Sequence, residues 1–432
     1  MGVTEPSEFD LAGLPARRAA LDLLTAALAR RTGLEEAASS NAFKALEPRD
    51  RAFARALVLA TLRHLGPIDR ALDSRLRKEP PENVHNILRL GLAQAFVLKT
   101  PPHAAVGTSV DLVASFKDAQ TFKGLTNAIL RGLLREPPDL FDPEALAAPW
   151  LMARWQAAFG PEAALAMARV FAEEPATDLT LLGEGGAADL AIELDATILT
   201  GGSLRTARRG DVSAWPGFEE GQWWVQDASA AVPARLLDLG PGKTGLDLCA
   251  APGGKTLQMA ATGAEIVALD RSSARLKRVS ENLARMGLEA EVVTAEASTW
   301  SDTRQFDAVL LDAPCSATGT YRRNPDVMWA ARPGDIPALA LVQARLLESA
   351  TDRVKPGGQL IYCVCSLEPE EGEAQVQAFL SRTTTFSLEP ITAGEGGSPV
   401  QSRLENGTLR ILPHHRDGGT DGFFIARFRK AS

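Results

Sequence analysis

Three short stretches hold the residues that could do chemistry. Asp247-Leu248-Cys249-Ala250-Ala251-Pro252-Gly253-Gly254-Lys255-Thr256 is an apolar strand running into a glycine turn, the usual entry to a nucleotide-cofactor site. Asp312-Ala313-Pro314-Cys315 and Cys363-Val364-Cys365-Ser366 each close a later apolar run with a cysteine. A lone cysteine is more often a small buried hydrophobe than a nucleophile. Cys315 and Cys365, both at strand ends beside a cofactor turn, point instead to covalent chemistry on a ligand lying across a sheet. Cys249 and Cys363 lie within apolar strands and read as structural. Zinc on Cys363 and Cys365 is disfavoured: no second Cys pair or His cluster lies near in sequence, and His414-His415 is the closest candidate.

The turn itself narrows the cofactor. A phosphate-binding P-loop needs a glycine five residues before Gly254, and Cys249 stands there. Nor is the turn a G-x-G-x-x-G fingerprint, since Pro252 precedes the paired glycines. Asp270 ends the next apolar run. A carboxylate there can accept hydrogen bonds from both hydroxyls of a ribose, or cap a helix starting near Ser272, and the two roles are compatible. An adenosine cofactor without a phosphate cradle fits best, S-adenosylmethionine better than ATP or NAD.

These residues need a sheet to position them. From about residue 236 strand and helix patterns alternate. Strands are expected at Gly245–Cys249, Glu265–Leu269, Ala290–Thr294, Phe306–Leu311 and Gln359–Val364, then at Thr408–Leu412 and Gly422–Phe428. Amphipathic segments at Ala274–Met286 and Ile336–Val354 lie between the earlier ones. That alternation implies a mainly parallel sheet with helices on both faces and a ligand site outside the strands' carboxyl ends. Residues 1–140 read as an all-α bundle: Val84, Ile87, Leu88, Gly91, Ala95 and Leu98 keep the helical period, and Pro137-Pro138 closes it. Residues 141–235 read as a small α+β connecting module, with Trp150–Glu174 helical and strands at Ile192–Thr200 and Trp223–Val225. The expected organisation is thus 1–140, 141–235 and 236–432.

Composition sets the wider limits. At 432 residues and 45% apolar content the chain can bury several cores. Four cysteines are no disulfide framework, and a reducing cytoplasm is the expected home. Met1–Arg18 lacks the pattern of a secretory signal, and no apolar run is long enough to span a bilayer. The net charge of −8 is unevenly spread: residues 1–140 carry 19 Lys and Arg against 16 Asp and Glu, which leaves the remainder at −11. Arg49, Arg51, Arg55 and Arg63, then Arg70, Arg75, Arg77 and Lys78, form either a solvated face or a phosphate-contacting one.

Methyl transfer to a pyrimidine carbon is one reaction in which thiols serve beside an S-adenosylmethionine site. C5 of cytosine is a poor nucleophile until a thiolate adds to C6 and turns the ring into an enamine. C5 can then attack an electrophilic methyl, after which its proton must leave and the thiolate must be expelled. A second thiol can assist that elimination, and Asp312, protonated or sharing a proton, can hydrogen-bond the base at N3.

The motifs together resemble the RNA (cytosine-C5) methyltransferases with two active-site cysteines, and within them the bacterial small-subunit rRNA methyltransferase B family. Val225-Gln226-Asp227-Ala228-Ser229, Cys249–Thr256, Asp312–Gly319, Arg322-Arg323-Asn324-Pro325-Asp326, Cys365-Ser366-Leu367-Glu368-Pro369-Glu370-Glu371 and Asp421-Gly422-Phe423-Phe424 carry the resemblance. It implies a Rossmann-like class I methyltransferase sheet preceded by an all-α bundle similar to the RNA-binding factor NusB. It implies that Cys365 is the nucleophile and Cys315 assists release. Cys249, Ala250, Ala251, Pro252, Gly253, Gly254, Lys255, Asp270 and Asp312 would line the S-adenosylmethionine site. Glu296 stands where the family usually has Asp, and Leu179–Gly183 replaces a Leu-Arg-Val-Asn segment. Arg322 and Arg323 could hold phosphates or form surface salt bridges, and Trp223, Trp224 and Trp329 could stack bases or pack in the core. The implied partner is 16S rRNA, with no DNA or membrane, and nothing suggests an obligate dimer. The same chemistry on tRNA, or a non-catalytic RNA-binding assembly factor, remain the alternatives.

Overall fold

The computed structural model describes residues 13–30, 33–183 and 185–432. The reading of Met1–Arg18 falls mostly outside them. Two compact units divide the chain: Met1–Glu173 with Arg323–Ala331, and Glu174–Arg322 with Arg332–Ser432.

The first unit is helical. Helix Leu14–Ala29, with Pro15 in its first turn, buries Ala20, Leu23, Leu24 and Ala27 against helix Pro48–Arg63. Helix Glu82–Leu92 adds Val84, Ile87 and Leu88, and helix Lys123–Arg135 adds Ile129, Leu130 and Leu133 to the same core. Helices Pro149–Phe159 and Pro161–Ala172 also group with this unit, whose packing runs to Glu173. Gly160, at φ +83°, interrupts what reads in sequence as one helix from Trp150 to Glu174. Segment Arg323–Ala331 joins the unit through helix Pro325–Ala330, where the Trp329 indole N–H donates to the Leu62 carbonyl at 2.7 Å. That indole is therefore tied to the bundle rather than offered to a base.

The expected basic face is thinner than the sequence implies. Arg63 is buried, Arg70 pairs with Asp142, Arg75 pairs with Glu136, and Arg51 donates to the Lys44 and Leu46 carbonyls. Arg49, Arg55, Arg77 and Lys78 are exposed.

The second unit holds two sheets. β1 (Thr177–Leu181), β2 (Ala196–Ile198), β3 (Leu204–Thr206) and β4 (Trp223–Val225) form an antiparallel sheet in the order β2-β3-β1-β4. The strand expected at Ile192–Thr200 shrinks to β2. Ile192 instead sits, 80% exposed, on helix Ala187–Glu193, and Asp195 turns the chain at φ +48°. Trp223 and Trp224 are buried, which settles them as core residues.

The larger sheet runs β5 (Thr244–Leu248), β6 (Glu265–Asp270), β7 (Glu291–Thr294), β8 (Phe306–Asp312), β9 (Val354–Val364), β10 (Phe386–Leu388), β11 (Leu409–Ile411) and β12 (Phe423–Lys430). Its order is β10-β12-β9-β8-β5-β6-β7, with β11 also on β12. Strands β5 to β9 are parallel, and β10, β11 and β12 are antiparallel additions. The strand alternation sorts side chains into two cores. Val309, Leu311, Leu360, Tyr362 and Val364 enter one, and Leu310, Ile361 and Cys363 enter the other. Each large side chain so buried contributes roughly 1.5–3 kcal/mol. The order reverses between β5 and β8, which opens the crevice where such sheets bind ligands.

Candidate active site

The expected catalytic and cofactor-binding residues lie at or just beyond the carboxyl ends of β5 to β9. The glycine turn leaves β5 at Cys249, whose φ of +64° swings the chain across the strand end. Gly253 follows at φ +108°, and a Cβ there would lie 3.1–3.3 Å from Val279, so only glycine suits the position. Ala251-Pro252 is a cis peptide bond. Helix Gly254–Ala260 then begins, and Gln226 supports its start: a Cβ on Gly254 would touch Gln226, which bonds Gln258 at 2.8 Å.

Asp270, at the end of β6, is 3% exposed and braces the turn. It accepts from the Ala251 N–H at 3.2 Å and the Ser272 N–H at 2.9 Å, while Ser272 itself caps helix Ser273–Met286. Glu296 stands exposed beyond β7, near enough for its charge to act on the Cys249 thiol.

At the centre, Lys255 Nζ donates to Asp312 Oδ2 at 2.7 Å, and the Cys363 thiol donates to Asp312 Oδ1 at 3.5 Å. Asp312 and Cys363 are register partners across β8 and β9. Cys365, two residues on, keeps the face of Cys363, and its Sγ lies 3.5 Å from Cys315 Sγ. The thiol pair and the Lys255–Asp312 ion pair therefore meet at adjacent strand ends.

Burial opposes the Lys255 charge, but Asp312 and the neighbouring cysteines outweigh it and raise its pKa above the ordinary value. The hydrogen bond to Cys365, then burial, raise Cys315 well above the usual thiol range, so Cys315 carries its proton beside the Cys365 sulfur. Burial pushes Cys249 up to about 12 and holds Cys363 high as well. Both remain thiols at neutral pH.

Two groups with no assigned role stand out. Asp247, inside β5, is 1% exposed and accepts from Thr256 Oγ1 at 2.6 Å, while its Oδ1 has no partner. Its only sequence signal is an acid within an apolar strand. Burial, reinforced by the Asp312 charge, pushes it up to about 7. Glu371 is wholly buried between the cysteine loops, and the sequence shows only that it closes a motif.

Arg322 is not available to phosphates: it is 1% exposed and pairs with Asp227 at 2.7 Å. Arg323, next to it, is exposed. Among the described residues there is no cluster of His, Cys, Asp or Glu able to hold a metal, and no helix long and apolar enough to cross a membrane.

Solved structures place this architecture. PH0851 covers 100% of both chains at a TM-score of 0.78 with 24% identity. A methyltransferase homologue from Pyrococcus horikoshii covers 69% of this chain and 98% of its own at a TM-score of 0.55 with 28% identity. The fold and site define a methyltransferase built on a Rossmann-like sheet. The family profile of the 16S rRNA methyltransferases RsmB/F matches residues 234–429, and that of the NusB family matches residues 14–135. Ribosomal RNA small subunit methyltransferase B of Cronobacter sakazakii is 38% identical over 392 residues, 86% of this chain and 88% of that one. The chain belongs to this rRNA small subunit methyltransferase B family.

Proposed function

We propose that the protein transfers a methyl group from S-adenosylmethionine to C5 of a cytosine in 16S rRNA through a covalent Cys365–C6 adduct. The observation that carries this reading is the 3.5 Å contact between Cys315 and Cys365 beside the Lys255–Asp312 pair.

The donor set suits that cofactor. Asp270 supplies a carboxylate for ribose hydroxyls, Glu296 a second acceptor on the adenine side, and Lys255 a cation for an amino-acid carboxylate, with no phosphate cradle among them. Bound there, the cofactor supplies an electrophilic methyl group. The Cys249–Lys255 backbone and Asp312 complete the pocket.

The side chains divide the remaining steps. Cys365 adds as thiolate to C6, and the ring electrons move to C5. Asp312, sharing a proton with the Lys255 ammonium, hydrogen-bonds N3 and offsets the charge that develops there. Adduct formation uses the Cys365 lone pair that held the Cys315 proton in place. Freed from that bond, Cys315 can pass its proton to solvent water and then, as thiolate, take the one on C5. The C5–H electrons re-form the ring double bond and the C6–S bond breaks, which returns Cys365 as thiolate.

RNA would meet the helical unit through phosphate contacts from Arg49, Arg55, Arg77 and Lys78, a reading supported by the NusB match and their exposure.

The test is methyl transfer from radiolabelled S-adenosylmethionine to 16S rRNA lacking its own modifications, with tRNA in parallel. Expected are C5 labelling of rRNA, its loss in Cys365→Ala, and a slow-migrating protein–RNA adduct on a denaturing gel for Cys315→Ala. Labelling of tRNA alone would move the substrate. Adduct from Cys365→Ala with normal turnover by Cys315→Ala would reverse the two roles.

A further inference from the structure

Cys315 and Cys365 are each followed by a serine, and both serines converge on one carboxylate. Glu371, 0% exposed, lies in the 3-10 turn Pro369–Glu371. Its Oε1 accepts from the Ser316 N–H at 2.9 Å and Gln343 Nε2 at 2.8 Å. Its Oε2 accepts from the Ser316 hydroxyl and, at 2.5 Å, from the Ser366 hydroxyl. Gln343 also donates to the Pro314 carbonyl at 3.0 Å, and the Tyr362 hydroxyl donates to the Glu371 carbonyl at 2.6 Å.

A buried carboxylate is costly unless its lone pairs are filled, and here four donors fill them. Each donor but Gln343 belongs to a residue adjoining Cys315 or Cys365, and Gln343 also holds Pro314 on the other side of Cys315. The loops meet elsewhere too, through the Gly319 N–H to the Cys365 carbonyl at 3.0 Å and the Leu367 N–H to Thr318 Oγ1 at 2.8 Å. The first of those ties reaches the Cys365 main chain, and the Ser316 and Ser366 hydroxyls lie 3.1 Å apart, but Glu371 is the group that gathers both serines and Gln343.

We propose that Glu371 is a positioning residue that holds the sulfurs of Cys315 and Cys365 in contact. Its catalytic consequence rests on the two-cysteine mechanism above, but the spacing can be measured without any methyl transfer. In Glu371→Gln the amide oxygen can keep the two N–H donors, and the serine hydroxyls can turn to accept from the amide nitrogen. That variant preserves the joint, whereas Glu371→Ala removes it.

The experiment treats the full-length protein with the azo oxidant diamide. Two thiols give up two hydrogens to the N=N bond, leaving one Cys315–Cys365 disulfide and a hydrazine, and mass mapping follows the closure rate. Expected is closure about tenfold slower in Glu371→Ala and near wild type in Glu371→Gln, because the rate reads the effective concentration of one thiol at the other. In parallel, kcat for methylation should fall by about tenfold or more in Glu371→Ala while KM for the cofactor stays within about twofold, with Glu371→Gln restoring kcat. Wild-type closure in folded Glu371→Ala, or a Glu371→Gln as slow as Glu371→Ala, would overturn the proposal. Should Glu371→Ala not fold, the Ser316→Ala/Ser366→Ala double variant takes its place: slow closure supports the proposal, normal closure overturns it. Shifted closure rates in a protein that methylates no cytosine would sink the reaction and leave the positioning role standing.

Discussion

Lys255, in the first turn of helix Gly254–Ala260, and Asp312, at the end of β8, meet at 2.7 Å, with the Asp312 side chain still 32% exposed. The pair thus joins the glycine turn to the cysteine side of the site.

Removing either member should cost activity more than stability. Asp312→Asn and Lys255→Met are each expected to lower kcat by about 100-fold or more, because a preorganised charge beside the reacting base is lost. The double variant should be little worse than either single one, since the two act as a unit. Single-turnover methylation with circular dichroism as the folding control would check this, and near-normal rates for Asp312→Asn would remove it from the mechanism.

Asp247 makes stability depend on pH. Burial, the largest influence, lifts its pKa from an ordinary 3.8 to about 7. Between those values the folded protein keeps a proton that the unfolded chain releases, so folding stability falls as pH rises and levels off above the folded pKa. The slope is roughly 1.4 kcal/mol per pH unit at most. Asp247→Asn should flatten this part of the profile in urea unfolding at pH 5, 6 and 7.5. Parallel profiles for the two proteins would contradict the assignment.

Arg322 should behave as a structural cation. Arg322→Met leaves Asp227 buried without its 2.7 Å partner, and a stability loss of about 3 kcal/mol is expected. RNA affinity of the folded variant, and its salt dependence, should match wild type. A shallower salt slope would show a phosphate contact after all.

Gly253→Ala should weaken cofactor binding. The new Cβ meets Val279 and the φ of +108° is unfavourable for alanine, a strain of order 1–3 kcal/mol. Relieving it by shifting the turn would displace the Cys249–Lys255 backbone. Calorimetric titration with S-adenosylmethionine is expected to show a Kd raised about tenfold or more, and an unchanged Kd would mean that the turn tolerates the shift.

Most of the large sheet was legible in the chain. Apolar runs such as Phe306–Leu311 and Gln359–Val364 are long enough to register as strands, and observed β8 and β9 contain them. Their ends carry Asp312, Cys315 and Cys365 by sequence position alone. β1 and β3, the latter only Leu204–Thr206, went unread, as did β10 at Phe386–Leu388. In β3 and β10 three residues give a period of two almost nothing to repeat, and such strands exist because a neighbour pairs with them.

What the sequence determined by itself was the order of strands and turns, because hydrophobic periodicity and glycine placement are local. Tertiary structure decided which polar groups are spent inside the protein. Arg322 reads as an RNA contact until Asp227, far away in sequence, takes it into the interior. Glu371 reads as the end of a motif until Ser316, Gln343 and Ser366 gather on its carboxylate. Burial, charge pairing and the 3.5 Å between two sulfurs depend on segments that only the folded chain brings together.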